Sequence, residues 1–102
     1  MKQYDVIDNP VGSMRAFVPY LVSLQSHYLQ DIESVVVAPV ILDGLRPLTS
    51  LDVPVTFDNR TMVVAVAEMS SMFRPAASHK RGSLVEHQDG IRRALEKLFT
   101  GF

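Results

Sequence analysis

The sequence predicts a mainly β fold, a small β-barrel followed by a C-terminal α-helix. Segments rich in valine, isoleucine and aromatic residues fill the first two-thirds of the 102 residues, and such residues favour strands. Turn-forming residues separate these segments about every ten residues, a spacing typical of small all-β domains. The last twenty residues instead repeat apolar positions at three- and four-residue spacing, which indicates one amphipathic helix.

Six segments have the composition of strands, and turn residues separate them. The predicted strands are Gln3 to Ile7, Phe17 to Leu24, Val35 to Leu42, Val53 to Phe57, Thr61 to Ala67 and Met69 to Phe73. The turn between the fourth and fifth strands, Asp58-Asn59-Arg60, predicts a hairpin. Connecting loops are predicted for Gln25 to Ser34, Asp43 to Ser50 and Pro75 to Gly82.

The terminal helix has recognisable ends. Ser83 followed by Glu86 predicts a capping box at the N-terminus, and Gly101 follows the last apolar position, where a helix-ending glycine belongs. Gly90 lies inside the pattern, and a glycine there indicates close packing of the backbone or a bend. The apolar stripe consists of Leu84, Ile91, Ala94, Leu95, Leu98 and Phe99.

The length and composition indicate a single domain over residues 1–102. Apolar residues make up 47% and charged residues 21%, with a net charge of −1 and no cysteine. The charge argues against binding nucleic acid through general attraction to phosphates, and the lack of cysteine excludes disulfides and thiolate metal sites. With no apolar run of about 18 residues and no visible signal peptide, we expect a cytoplasmic protein that does not bind membranes.

No pattern in the sequence predicts a catalytic, metal or cofactor site. The histidines lack metal-ligand spacing; they are His27, His79 and His87. Asp31 and Glu33 are close in sequence, but nothing supplies the opposing carboxylate of a hydrolase cleft. The glycines are scattered, so no phosphate-binding loop is present. The sequence therefore indicates no active site, and we expect no cofactor.

Four segments, in order along the chain, resemble one protein family. They are Val22-Ser-Leu-Gln-Ser26, Val35-Val-Val-Ala-Pro-Val-Ile41, Pro54-Val-Thr-Phe-Asp58 with Met62 and Glu68-Met-Ser70, and the ending Ile91-x-x-Ala-Leu-x-x-Leu-Phe-x-Gly-Phe102. The family is CcdB, the toxin half of toxin–antitoxin pairs that poison DNA gyrase. The resemblance implies a homodimer of SH3-like β-barrels, each with a small additional sheet and a long C-terminal helix.

The same resemblance implies a mechanism and a set of partners. A family toxin binds the gyrase A subunit, holds the cleaved DNA complex and catalyses nothing. A small CcdA-like antitoxin neutralises it through a disordered arm that folds on binding, expected here on the Ser71–Arg81 segment and the exposed barrel face. The residues that match gyrase-contacting positions are Glu96, Phe99, Thr100, Gly101, Phe102, Tyr28 and Leu29.

Two positions depart from the family pattern, and two alternative functions stay open. Thr100 stands where the plasmid toxin has a tryptophan able to stack on an arginine, and Glu96 stands where it has asparagine. These departures leave room for a homologue that binds its antitoxin without being toxic. The same barrel also carries the MazF/Kid ribonuclease toxins. Their paired catalytic arginine and aspartate have no clear match, although Arg15, Arg46 and Arg74 are present.

Overall fold

The computed structural model describes residues 1–26, 32–73 and 79–101. Within these ranges the strands and the helix are β1 (Asp5–Asp8), β2 (Tyr20–Ser23), β3 (Ser34–Leu42), β4 (Asp52–Phe57), β5 (Arg60–Ala65), β6 (Ser70–Phe73), β7 (Lys80–Ser83) and α1 (Gln88–Thr100). Single-turn 3-10 helices cover Gly12–Met14, Val66–Glu68 and Val85–His87. No helix in the described ranges is long and apolar enough to cross a membrane.

The strands form one antiparallel sheet in the order β4-β5-β3-β2-β1-β7. Because β3 is nine residues long, its second half pairs with β5 and its first half with β6, while β2 occupies the other edge. Strand β6 thus branches from the main sheet and shares β3 with it. The small additional sheet that the family resemblance implied does not form as a separate sheet among the described residues. The predicted class, a mainly β fold of the small-barrel type with a C-terminal helix, is confirmed, and the sheet curls into a half-barrel.

The two ends of the strand order approach each other, which makes the sheet a half-barrel. Phe57, at the end of β4, lies so close to Gly82 of β7 that a Cβ added to that glycine would stand 2.7 Å from the ring. The same ring meets Tyr20 of β2 edge-on, with ring centroids 5.0 Å apart. Side-chain contacts therefore bridge the gap between β4 and β7, the two strands at the ends of the order.

Alternation along the strands divides the sheet into two apolar faces. The inner face packs against α1 and buries Val6, Val22, Val40, Val55, Met62, Val64, Leu84 and Ile91. On the outer face, Ile7, Val37 and Val63 are also almost fully buried. A strand that is apolar on both faces is typical of a sheet covered on both sides.

The β4–β5 hairpin confirms the predicted turn. Asp58 and Asn59 both have positive φ, 54° and 59°, and they connect the paired residues Phe57 and Arg60. Two central residues in the left-handed region define the type I′ turn, whose twist matches that of the flanking strands. Aspartate and asparagine tolerate this region better than most residues.

Two sequence predictions near the C-terminus are wrong. The segment predicted as a loop up to Gly82 contains β7, which pairs with β1. The helix begins at Gln88 and not at Ser83, because Ser83 belongs to β7 and the N–H of Leu84 donates to the carbonyl of Tyr4. The Ser83–Glu86 capping box does not form; the Ser83 hydroxyl instead accepts the N–H of Val85 at 3.1 Å.

Candidate target-binding surface

The helix α1 is held against the edge strand β4 through a glycine. A Cβ added to Gly90 would stand 3.1 Å from Cγ1 of Val53, tighter than ordinary contact. The absence of a side chain at this position therefore allows the close approach that the sequence predicted. The next residue, Ile91, and Ala94, about one turn later, are buried in the barrel core. The first half of α1 is thus fixed to the sheet.

Burial decreases toward the C-terminal end of α1. Leu95 and Leu98 are half-buried and pack against the core from its edge. Phe99 is 70% exposed, although it belongs to the same apolar stripe in the sequence. Since a phenylalanine on a monomeric surface contributes little to folding, an exposed aromatic ring at the end of a rigid helix is a candidate contact with another molecule.

The last turn of α1 ends in a defined geometry. Gly101 has a left-handed φ of 81°, and its N–H donates to the carbonyl of Lys97 at 2.9 Å. This is the glycine C-cap that the sequence predicted, and it redirects the chain away from the helix axis. The hydroxyl of Thr100 donates to the carbonyl of Glu96 at 2.6 Å. The hydrogen-bond donor of the Thr100 hydroxyl is therefore satisfied within its own helix.

Four of the seven predicted contact residues meet on this last turn. Glu96, Phe99, Thr100 and Gly101 are all exposed, and no ion pair connects Glu96 to any residue in the described ranges. The other three predicted residues, Tyr28, Leu29 and Phe102, lie outside the described residues. The structure therefore brings together the four predicted residues at the C-terminal end of α1. We name these four residues the terminal patch.

The described arginines that a ribonuclease site could use are bound within the fold. Arg46 Nη2 contacts Oδ1 of Asp52 at 3.1 Å and Oε2 of Glu68 at 2.7 Å. The carboxylate of Asp52 is 2% exposed and also accepts the N–H and hydroxyl of Thr49. Arg15 Nε donates to the carbonyl of Asn9 at 2.6 Å. Both guanidinium groups hold loops in place.

Among the described residues, no cluster of acidic or histidine side chains could hold a metal ion. His87 Nε2 accepts the backbone N–H of Thr56 at 3.3 Å, so this imidazole closes part of the free edge of β4. His79 is exposed, and His27 lies outside the described residues. The predicted loop carboxylates are not brought together either, since Glu33 is exposed and Asp31 lies outside the described residues.

A groove on the outer face of the sheet was not predicted from the sequence. It has a volume of about 380 Å³ and is lined mainly by apolar side chains, among them Val11, Met14, Val18, Leu21, Val37 and Ile41. Met14 and the nearby Phe17 are 49% and 60% exposed. The available sequence signal was the apolar character of both faces of β3, together with apolar residues in a loop between two strands.

A family model described as CcdB protein matches residues 3–101. The chain belongs to the CcdB family. Membership in this family makes it a toxin of the toxin–antitoxin type and implies an antitoxin as its partner. No curated protein sequence matches the chain.

Solved structures with the same fold include two toxins. The toxin MazF-mt6 of Mycobacterium tuberculosis superimposes with a TM-score of 0.67 at 20% identity, over 78% of this chain and 84% of that one. A second structure, described as an Mtb toxin, gives a TM-score of 0.68 at 20% identity and covers 78% of this chain and 91% of its own. At this identity the likeness concerns the fold alone.

Proposed function

We propose that this protein is the toxin of a type II toxin–antitoxin system that binds the DNA gyrase A subunit and blocks religation of the cleaved complex. The observation that carries the proposal is the 70% exposure of Phe99 at the end of a helix whose first half is fixed in the core. The proposed activity requires no catalytic group, no cofactor and no membrane, and it would act on its target in the cytoplasm.

The physical basis is selective binding to one state of a cycling enzyme. A ligand that binds the cleaved state more tightly than the others shifts the enzyme toward that state. Full burial of a phenylalanine contributes roughly 1.5–3 kcal/mol, and a two-fold dimer presents such a ring twice to a two-fold target. The glycine cap at Gly101 fixes where the chain leaves the helix, so the terminal patch is preorganised for contact.

We assign dimerisation to the apolar groove on the outer face. Apolar side chains such as Met14 and Phe17 are exposed in the single chain. If a second copy covers them, they are removed from water, which stabilises the dimer. The variant Met14→Asp is expected to raise the monomer fraction in analytical ultracentrifugation, because it buries a charge in the interface. An unchanged mass for this variant, with the wild-type protein dimeric, would exclude the groove as the dimer interface.

The antitoxin is proposed to cover the Ser71–Arg81 segment. In the described part of this segment Phe73 of β6 is 58% exposed. Lys80 and Arg81 lie on β7, where they are exposed and pair with Asp5 and Asp8. An arm that is disordered alone could wrap this surface as it folds. Isothermal titration of the cognate antitoxin with Phe73→Ala and Phe99→Ala separates the two surfaces: the first should weaken antitoxin binding and the second should leave it unchanged.

The decisive experiment is a gyrase cleavage assay. Purified protein is incubated with supercoiled plasmid, ATP and gyrase from the same source, and the products are treated with detergent and protease. We expect linear DNA with the wild-type protein and its loss with Phe99→Ala. Val85→Ala serves as the matched control, because Val85 is 47% exposed but precedes the helix. No linear DNA and undisturbed supercoiling with the wild-type protein would contradict the proposal.

A ribonuclease remains the second candidate, and the shared fold with MazF-mt6 favours it. Against it, Arg15 and Arg46 are occupied in structural contacts. Incubation with total RNA tests it directly, since fragments that persist in EDTA and disappear with an Arg15→Ala variant would support cleavage by the protein itself. A third candidate, a non-toxic homologue, follows from Thr100, whose hydroxyl is bonded to its own helix. Antitoxin binding without gyrase cleavage would identify it.

A further inference from the structure

A cleft lies between α1 and the edge strand β4. Glu96 is the one residue of the terminal patch that lines it. Its volume is about 530 Å³, and its walls come from Ser50, Asp52, Val53, Pro54, Gly90, Arg93, Ala94, Glu96 and Lys97. The floor is apolar, formed by Val53, Ala94 and the bare backbone of Gly90. We name this cleft the edge groove.

The edge of β4 that faces the groove offers hydrogen-bond acceptors, whereas its backbone N–H groups are already bonded. The N–H of Asp52 donates to Thr49 and the N–H of Thr56 donates to His87, while Pro54 between them has no N–H. Because alternate residues of a strand face the same edge, the carbonyls of Asp52 and Pro54 point to the groove as well. No backbone hydrogen bond of a loop, turn or cap in the described part of the chain reaches either carbonyl.

The helix side offers positive charge. Arg93 and Lys97 stand one turn apart on α1, and neither forms an ion pair with a described residue. Arg93 Nη2 lies 3.9 Å from the position of a Cβ at Gly90, so its guanidinium extends along the groove. Of the two acidic lining residues, Asp52 is already paired with Arg46. Glu96 is therefore the one lining carboxylate without an ion pair in the described ranges.

We propose that the edge groove binds an extended acidic segment of a partner protein. Backbone N–H groups of the segment would donate to the carbonyls of Asp52 and Pro54, as a peptide does at a sheet edge. Its carboxylates would pair with Arg93 and Lys97. A phosphate chain fits less well, because it brings no donors for the carbonyl wall. The helix is about 20 Å long, a length that roughly six extended residues cover.

The binding test uses the fluorescein-labelled peptide Glu-Val-Glu-Val-Glu-Val, with Lys-Val-Lys-Val-Lys-Val as its charge-reversed counterpart, and measures fluorescence anisotropy at low salt. We expect the acidic peptide to bind and the basic one not to bind. The double variant Arg93→Ala/Lys97→Ala should weaken binding about tenfold. The matched control, Arg60→Ala/Arg92→Ala, removes two exposed cations outside the groove and should leave affinity unchanged.

Several outcomes would overturn the proposal. They are equal or absent binding of the two peptides, equal affinity for the two double variants, and tighter binding of a single-stranded DNA oligonucleotide than of the acidic peptide. A change of oligomeric state in Arg93→Ala/Lys97→Ala would mean that a second copy of the chain fills the groove. Because gyrase is absent from this assay and Phe99→Ala should bind the peptide normally, its result is independent of the gyrase proposal.

Discussion

The carboxylate of Asp52 anchors the loop that precedes β4. Its side chain is 2% exposed and receives bonds from Arg46 and from the backbone and hydroxyl of Thr49. Because Asp52→Ala would remove an ion pair and two further hydrogen bonds to a buried carboxylate, we expect the free energy of unfolding to fall by about 2–3 kcal/mol. Urea unfolding at fixed protein concentration measures it. Glu68→Ala is the matched control, since this carboxylate is 50% exposed and such pairs contribute roughly 0–1 kcal/mol. Equal losses would contradict the assignment.

The side chain of Ser23, unlike that of Asp52, is expected to oppose folding. Ser23 is fully buried in β2, and its hydroxyl has no hydrogen-bond partner among the described residues. Burial of an unpaired hydroxyl opposes folding, so Ser23→Ala should raise the free energy of unfolding by about 1 kcal/mol. The same urea titration tests this, with Ser71→Ala, at an exposed position of β6, expected to change stability by less than about 0.5 kcal/mol. Destabilisation by Ser23→Ala would indicate a hydrogen bond to a bound water.

At the scale of elements, the contact between β4 and β7 determines how far the sheet closes. A Cβ at position 82 would stand 2.7 Å and 2.9 Å from two ring atoms of Phe57, so Gly82→Ala must displace this ring from Tyr20. We expect a loss of about 1–3 kcal/mol in unfolding free energy, measured by thermal or urea unfolding. Gly12→Ala, where a Cβ would meet nothing within 4 Å, should be neutral. Phe57→Leu should partly rescue Gly82→Ala, and a purely additive double variant would refute the contact.

The same elements show which parts of the fold follow from local sequence. The Asp58-Asn59 hairpin and the Gly101 cap were predictable, because left-handed backbone selects particular residues. Strand β7 was not, since Lys80 to Ser83 has no alternating apolar pattern and is fixed by pairing with β1. Because Ser83 takes part in that pairing, it does not belong to the helix. The terminal patch was predicted as residues of a family motif. For the edge groove, Gly90 indicated close packing or a bend, but no local pattern indicated that the helix would approach Val53 of β4.

For the whole molecule, folding and the proposed target binding use different parts of the chain. The core ends near Leu98, which is half-buried, and Thr100 and Gly101 are exposed. Removal of residues 100–102 therefore takes away no residue of the described core; it removes the helix cap, which contributes about 1 kcal/mol at most in comparable motifs. Stability and toxicity should accordingly be separable by a deletion at this end.

We predict that deletion of residues 100–102 abolishes gyrase cleavage and lowers the melting temperature by only a few degrees, about 4–8 °C for a loss of 1 kcal/mol in a domain of this size. Cleavage of plasmid DNA and thermal unfolding are measured on the same preparation, and the far-ultraviolet circular dichroism spectrum should retain its helical component. The Val85→Ala variant serves as the control, because Val85 is 47% exposed but precedes the helix. If the deletion unfolds the protein, the terminus belongs to the folding core; if it folds and still yields linear DNA, the terminal residues do not contact gyrase, and Phe99 or another surface must carry the interaction.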